Sequence, residues 1–193
     1  MNMIEKESRK KQCILDAVRD TLATDTYVNV TIEAIAGRAG VGKSTIYRWW
    51  KDKSALILDV FKMQTMHIFE LDRNTSLRQN LYQQLFKLSE VLHQPVGRAL
   101  LVVMTEQREA AAAFFHEYLL PRRAEMRNLI QLAIERGEIR SDYPFELMLD
   151  TLYGSVHYQI IFFNQVPDRD YICALVDMVL APVALSNVVN DQT

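Results

Sequence analysis

Residues 43–48 bring together Lys43, Ser44, Thr45, Tyr47 and Arg48, a run of ammonium, hydroxyl, phenol and guanidinium donors. Donors of this kind suit phosphate oxygens and base edges, the chemistry of reading nucleic acid. Bond-making chemistry needs other constellations, and the chain lacks them. His116 and Glu117 open an HE pair, but Leu120 occupies the position where a zinc protease needs its second histidine. No GxSxG, P-loop or glycine-rich dinucleotide loop occurs, and His67, His93, His116 and His157 share no ligand spacing. The chain therefore reads as a non-enzyme with no cofactor and no metal. Cys13 and Cys173 lie far apart, form no CxxC motif, and are expected to be buried thiols in a reducing compartment.

The donors need a rigid mount, and the surrounding sequence supplies one. Thr31 can cap a first short helix through its hydroxyl. Ile32, Ile35 and Ala36 share that helix's buried face, and Gly40 provides the positive φ that ends it. A second helix starts near Gly42, with Lys43, Ser44 and Thr45 in its first turn. Ile46 and Trp50, four residues apart, face inward with Val41. Two short helices joined by a tight glycine turn make a helix-turn-helix, which places the first turn of its second helix in the major groove.

From about residue 8 to 61, the order and spacing resemble the DNA-binding domain of the TetR (tetracycline-repressor) family. The resemblance rests on an opening helix with Ile14, Ala17, Val18 and Leu22, the IAGRAGV turn, the TIYRWW helix and KDKSALILDVF. Residues 121–162 are similar, more loosely, to the ligand-binding and dimerising half of one branch of that family. Two positions depart from the pattern. Asp25, Thr26 and Tyr27 replace a glycine turn, and Gly42 replaces a common serine, so any phosphate contact through that hydroxyl is absent or moved to Ser44 or Thr45.

The resemblance implies phosphate contacts for Tyr47 and Lys53. A lysine in the first turn of a helix capped by Asp52 is unfavourable against the helix dipole, which invites a functional reading. Arg48 can reach a phosphate or a guanine edge, and Lys43, Ser44 and Thr45 are the candidates for base contacts. Thr31 and Trp49 complete the DNA-binding set, with shielding of the fourth helix as the plain alternative for Trp49. Trp50 is expected in the core. The partner is double-stranded DNA carrying an inverted repeat, because one recognition helix reads few bases and a two-fold dimer presents two.

The net charge of the 193-residue chain is only −2, but its distribution is uneven. Residues 1–60 hold ten Lys and Arg against eight Asp and Glu, whereas the remainder holds twelve against sixteen. Lys6, Arg9, Lys10 and Lys11 are expected to precede the first helix, as a solvated tail or as an arm on phosphates or the minor groove. The charged amino terminus has no apolar core, and no run of apolar residues is long enough for a membrane span, so a cytoplasmic protein without a signal peptide or membrane partner is expected.

Six glycines, five prolines and 49% hydrophobic residues at helical spacing indicate an all-α chain of about nine helices. These are placed at 8–24, 31–38, 43–49, 53–71, 76–92, 96–108, 110–136, 145–164 and 168–188. Pro121 predicts a kink or short interruption in the seventh, Gly137 a left-handed cap at its end, and Pro144 a place in the first turn of the eighth. The expected domains are a helix-turn-helix DNA-binding domain over 1–52 and a helical effector-binding and dimerisation domain over 53–193.

The eighth helix, with Phe145, Leu149, Leu152, Tyr153, Val156, Ile160 and Phe163, and the ninth, with Tyr171, Ile172, Leu175, Val176, Val179 and Leu180, are apolar around too much of their circumference for a monomer's surface. A homodimer through these last two helices, as a four-helix bundle, is the expectation that the resemblance also implies. For a small-molecule effector the candidate residues are Met66, His67, Phe86, Met104, Arg108, Phe115, Tyr118, Tyr153 and His157, each with a plain alternative as a core or interhelical contact. The mixed lining suits a mostly apolar molecule of few charges. The expected function is a sequence-specific regulator, a repressor released by that effector. A related helical module that has lost DNA binding is the alternative, and Gly42 gives it weight.

Overall fold

A computed structural model describes residues 3–181. Its helices are α1 (Met3–Leu22), α2 (Ile32–Ala39), α3 (Lys43–Tyr47), α4 (Lys53–Thr65), α5 (Leu77–His93), α6 (Pro95–Glu106), α7 (Arg108–Phe114), α8 (Leu120–Glu135), α9 (Phe145–Phe162) and α10 (Arg169–Leu180). A π-helical turn, Phe115–Leu119, joins α7 to α8, so these three form one uninterrupted helical run and nine helical rods result among the described residues. No described helix is long and apolar enough to cross a membrane.

The chain forms two compact units, one of residues 1–67 with 91–120 and the other of residues 68–90 with 121–193. In the first, α1 contributes Ile14, Val18 and Leu22, α2 contributes Ile35 and Ala36, and α4 contributes Leu56, Ile57 and Val60 to a core that also buries Ile46 and Trp50. Trp50 is 3% exposed, as expected, and its indole Nε1 donates to Asp59 Oδ2 at 2.8 Å. The same unit contains an aromatic cluster of Phe61, Phe114 and Tyr118, with Phe114 and Tyr118 stacked at 4.8 Å between ring centroids. In the second unit, Leu81 and Leu85 of α5, Met126 and Ile130 of α8, Leu149, Leu152 and Val156 of α9 and Ile172 and Val176 of α10 are buried.

The helix ends follow from local chemistry. Thr31, Asp52 and Asp168 cap α2, α4 and α10 by accepting from Ala34, Ala55 and Tyr171 N–H groups. Gly40 closes α2 at φ 65°, and Val41 N–H returns to the Ala36 carbonyl at 3.0 Å. Gly137 ends α8 at φ 70° in the same manner. Pro121 cannot donate to the carbonyl one turn earlier, and the helix does not break there; the wider π turn stands immediately before it.

Several expectations need correction. The basic cluster Lys6, Arg9, Lys10 and Lys11 lies within α1, exposed, and is not an arm before it. The fourth helix ends at Thr65, where the threonine hydroxyl bonds back to the Phe61 carbonyl, and does not continue to residue 71. Pro144 is the N-cap of α9, one position outside its first turn. Neither cysteine is buried: Cys13 occupies the solvent face of α1 and Cys173 is half-exposed on α10. The continuation of the last helix from 182 to 188 lies outside the described residues.

Two contacts carry stability consequences. Glu146 of α9 accepts from Arg123 and Arg127 of α8, which also reaches Asp150 from Arg123 at 2.9 Å. The Arg123 and Arg127 hydrogen bonds hold the Glu146 carboxyl below its usual 4.5. Its contribution is therefore complete above pH 4.5 and is lost as the pH falls through the lowered value. Gly97 of α6 packs so tightly that a Cβ there would lie 2.1 Å from the Val91 carbonyl oxygen and 2.5 Å from Leu92 Cα.

Glu146→Gln should lower stability at neutral pH by about 1 kcal/mol or less, because the pairs are partly solvated. It should also remove part of the loss on acidification below pH 4.5, read by thermal melts across pH. Gly97→Ala should destabilise the protein by more than about 2 kcal/mol in a denaturant titration, since backbone rather than a movable side chain blocks the methyl group.

Candidate nucleic-acid interface

The short helix α3 is mounted on a single buried anchor. Ile46 is fully buried, while Lys43, Ser44, Tyr47 and Arg48 are exposed and Thr45 is half-buried. The expected donors thus share the outer surface of a five-residue helix and its C-cap, Arg48. Gly42, its N-cap, has extended backbone and makes no side-chain cap, and a Cβ added there would meet only Ser44 Oγ at an ordinary 3.6 Å. Trp49 is half-buried, edge-on to Trp50 with centroids 5.8 Å apart. Thr31 is exposed at the start of α2, but its hydroxyl is engaged, accepting from Ala34 N–H at 3.1 Å.

Lys43 does not stand alone. Its ammonium donates to Glu33 Oε1 of α2 at 2.7 Å, and both side chains remain more than half exposed. That hydrogen bond holds the Glu33 carboxyl below the usual carboxylate range and raises the Lys43 ammonium above its ordinary value. Glu33 also offsets the cost of placing a cation at the N-terminus of α3.

Lys53 is placed differently from a simple surface cation. Its ammonium donates to the carbonyls of Tyr27 at 2.6 Å and Val30 at 2.9 Å, and sits 4.1 Å from the centre of the Tyr27 ring. Partial burial lowers its ammonium below the ordinary lysine value. Two of its three N–H donors are thereby used inside the protein. Tyr27 is held in turn by a 2.9 Å hydrogen bond between its hydroxyl and Ser54 Oγ. Sequence reasoning treated Tyr27 only as part of a turn and overlooked Glu33; the i to i+27 pairing of Tyr27 and Ser54 leaves no local signature.

The candidate effector residues fall in both units. In the first, Met66, His67, Arg108 and Phe115 are exposed, Met104 is half-buried, and Tyr118 is buried with its hydroxyl bonded to Thr65 Oγ1. In the second, Tyr153 donates its hydroxyl to Gln84 Oε1, and His157 Nδ1 lies 2.6 Å from the Tyr153 carbonyl one turn away. Phe86 lines an open cleft of about 700 Å³ between α5 and α10, with Tyr82, Lys87, Arg169 and Cys173.

Comparison with known proteins agrees with this geometry. Residues 14–60 match the family described as bacterial regulatory proteins, tetR family, and residues 72–179 match the tetracyclin repressor-like C-terminal domain. The chain is 31% identical to Mb1581 of Mycobacterium bovis, an uncharacterized HTH-type transcriptional regulator, over 81% of this chain and 78% of the other. It is 27% identical to the similarly uncharacterized YdeS of Bacillus subtilis, covering 86% of this chain and 85% of that one. The crystal structure of the TetR family transcription regulator SCO0332 superposes with a TM-score of 0.70 at 28% identity, over 89% of this chain and 97% of that chain. An exposed donor row on a helix anchored by one buried isoleucine, in a chain matched to both halves of one family, makes this protein a DNA-binding transcriptional regulator of the TetR family, a family of regulators and not of enzymes.

Proposed function

We propose that the protein is a cytoplasmic homodimeric repressor that reads an inverted-repeat operator and is released by a mostly apolar small molecule. The observation that carries the DNA-reading part is the outward row Lys43, Ser44, Tyr47 and Arg48 opposite buried Ile46. Lys43, Ser44 and Thr45 serve base edges; Tyr47 and Arg48 serve phosphates. Trp49 flanks the backbone, and Thr31 contributes as the cap that positions α2. Lys53 adds a phosphate contact through its remaining N–H. Residues 1–52 form the reading head, and residues 53–193 receive the effector and the second protomer.

The dimer reading rests on α9. Leu147, Thr151, Gly154, Tyr158, Ile161 and Phe162 recur at helical spacing on one side, and the four large residues among them are at least half exposed, Phe162 by 72%. On α10, Met178 is 63% exposed. Of the residues expected in this role from the sequence, Leu149, Leu152, Val156, Ile160, Ile172, Leu175, Val176, Val179 and Leu180 are buried within the protomer, Phe145, Tyr153 and Tyr171 are half-buried, and Phe163 is exposed. A stripe of large apolar side chains with Thr151 and Gly154 at its centre suits close approach by a second copy, with the proposed bundle of α9 and α10 from each chain.

Effector release follows from linkage: a molecule that prefers the dimer spacing unable to match the operator weakens DNA binding by the factor with which DNA weakens its own. The helix α4 is the proposed lever, since it begins with Lys53 and presents Phe61 and Thr65 to Tyr118.

Purified protein should enrich an inverted repeat from a random duplex pool at near-physiological salt, with half-sites about one helical turn apart. Arg48→Ala should weaken binding and reduce the log–log salt slope by about one per protomer, whereas Tyr47→Phe should weaken binding with the slope unchanged. A folded dimer that enriches no duplex would favour the module that has lost DNA binding. Separately, Ile161→Asp should convert the dimer to a monomer by sedimentation and reduce operator affinity by at least about 100-fold, with helicity retained. A dimer that survives this change would refute the assigned interface.

A further inference from the structure

We infer that Glu33 is a selectivity residue: paired to Lys43, it opposes binding to duplexes of arbitrary sequence and favours sites that offer its carboxylate a cytosine amino group. The inference rests on the DNA-reading function proposed above. Its basis is the placement of a carboxylate among the donors meant for a polyanion. Glu33 projects from the first turn of α2 and accepts the Lys43 ammonium at 2.7 Å, and both side chains are open to solvent, 63% and 53% exposed. Ser44 and Tyr47 of the same short helix and its C-cap Arg48 are likewise exposed.

In the fold this carboxylate adds only the modest dipole benefit of an acidic first-turn residue and a counter-charge for Lys43. Thr31 already caps α2, and the α2–α3 turn is closed by backbone bonds at Gly40 and Val41. Arg38 separately ties α2 to the Asp20 carbonyl of α1 at 2.8 Å. The carboxylate instead acts on the interface. In the free protein it neutralises Lys43, removing one cation from the charge that any phosphate backbone would attract. On DNA it is repelled by phosphates and is favoured where a second donor joins Lys43. In the major groove, the cytosine N4 amino group is the donor that carboxylates accept from, and the guanine O6 and N7 acceptors suit the lysine. The side chains of Glu33 and Lys43 therefore match the two bases of a G·C pair, and sites without such a pair leave the carboxylate with a poorer set of donors.

The test compares wild type, Glu33→Gln and Glu33→Gln/Lys43→Gln on two duplexes of equal length, one carrying the repeat enriched from a random pool and one of scrambled sequence. Thermal melting of each variant checks the fold. Glu33→Gln should bind the scrambled duplex about tenfold more tightly, with a salt slope steeper by about one per protomer, and the double variant should lose that added slope. The ratio of operator to scrambled affinity should fall about tenfold, and one C·G pair in each half-site should become replaceable at little cost. Equal losses on both duplexes, or discrimination unchanged within twofold, would overturn the role of Glu33 while leaving the regulator reading intact. A wild-type protein that enriches no duplex would overturn both together.

Discussion

The reading head depends on one buried-edge cation. Lys53 ties the first residue of α4 to the carbonyls of Tyr27 and Val30, and it rests on the Tyr27 ring, whose hydroxyl returns to Ser54. Those carbonyls lie in the turn that delivers the chain to Thr31, so the start of α2 is held to the start of α4. Because α3 is a five-residue helix with one buried side chain and no side-chain cap, it has little stability of its own. Its direction is inherited from α2 and α4, and therefore from this ammonium.

The same economy explains how charge is used. The net charge of −2 gives no bulk attraction for DNA, so attraction must come from a local arrangement. Exposed lysines and arginines lie along α1 and α3, but Lys43 is paired with Glu33 and Lys53 is largely committed inward. Where Lys53 is concerned, structural and phosphate roles are compatible because an ammonium has three donors and the backbone takes two.

In the second unit, the Arg123, Arg127 and Glu146 network joins α8 to α9 and leaves the adjacent face of α9 apolar and exposed. Keeping charges to one flank allows the remaining stripe to meet another apolar surface without burying an unpaired ion. The aromatic cluster of Tyr158, Phe162 and Phe163, with centroids 5.0 and 5.4 Å from Tyr158, closes the end of that stripe.

Much of this architecture was legible in the chain because it is written locally. Helical periodicity, the Thr31 and Asp52 caps and the left-handed glycines at 40 and 137 are short-range signals, and they located the helix-turn-helix and the outward donors of α3. What remained hidden depends on residues distant in sequence. Periodicity showed that α9 and α10 are apolar but not which apolar residues the protomer would bury, since that depends on where α5 and α8 pack. Nor could it show that Lys53 would turn toward Tyr27 and Val30, or that Glu33 would meet Lys43, because pairings across 23 to 26 and ten positions have no period. The sequence by itself determined an all-helical chain with a DNA-reading motif; tertiary structure alone decided which donors face outward unpaired, because only packing brings a distant carbonyl or carboxylate within hydrogen-bonding distance.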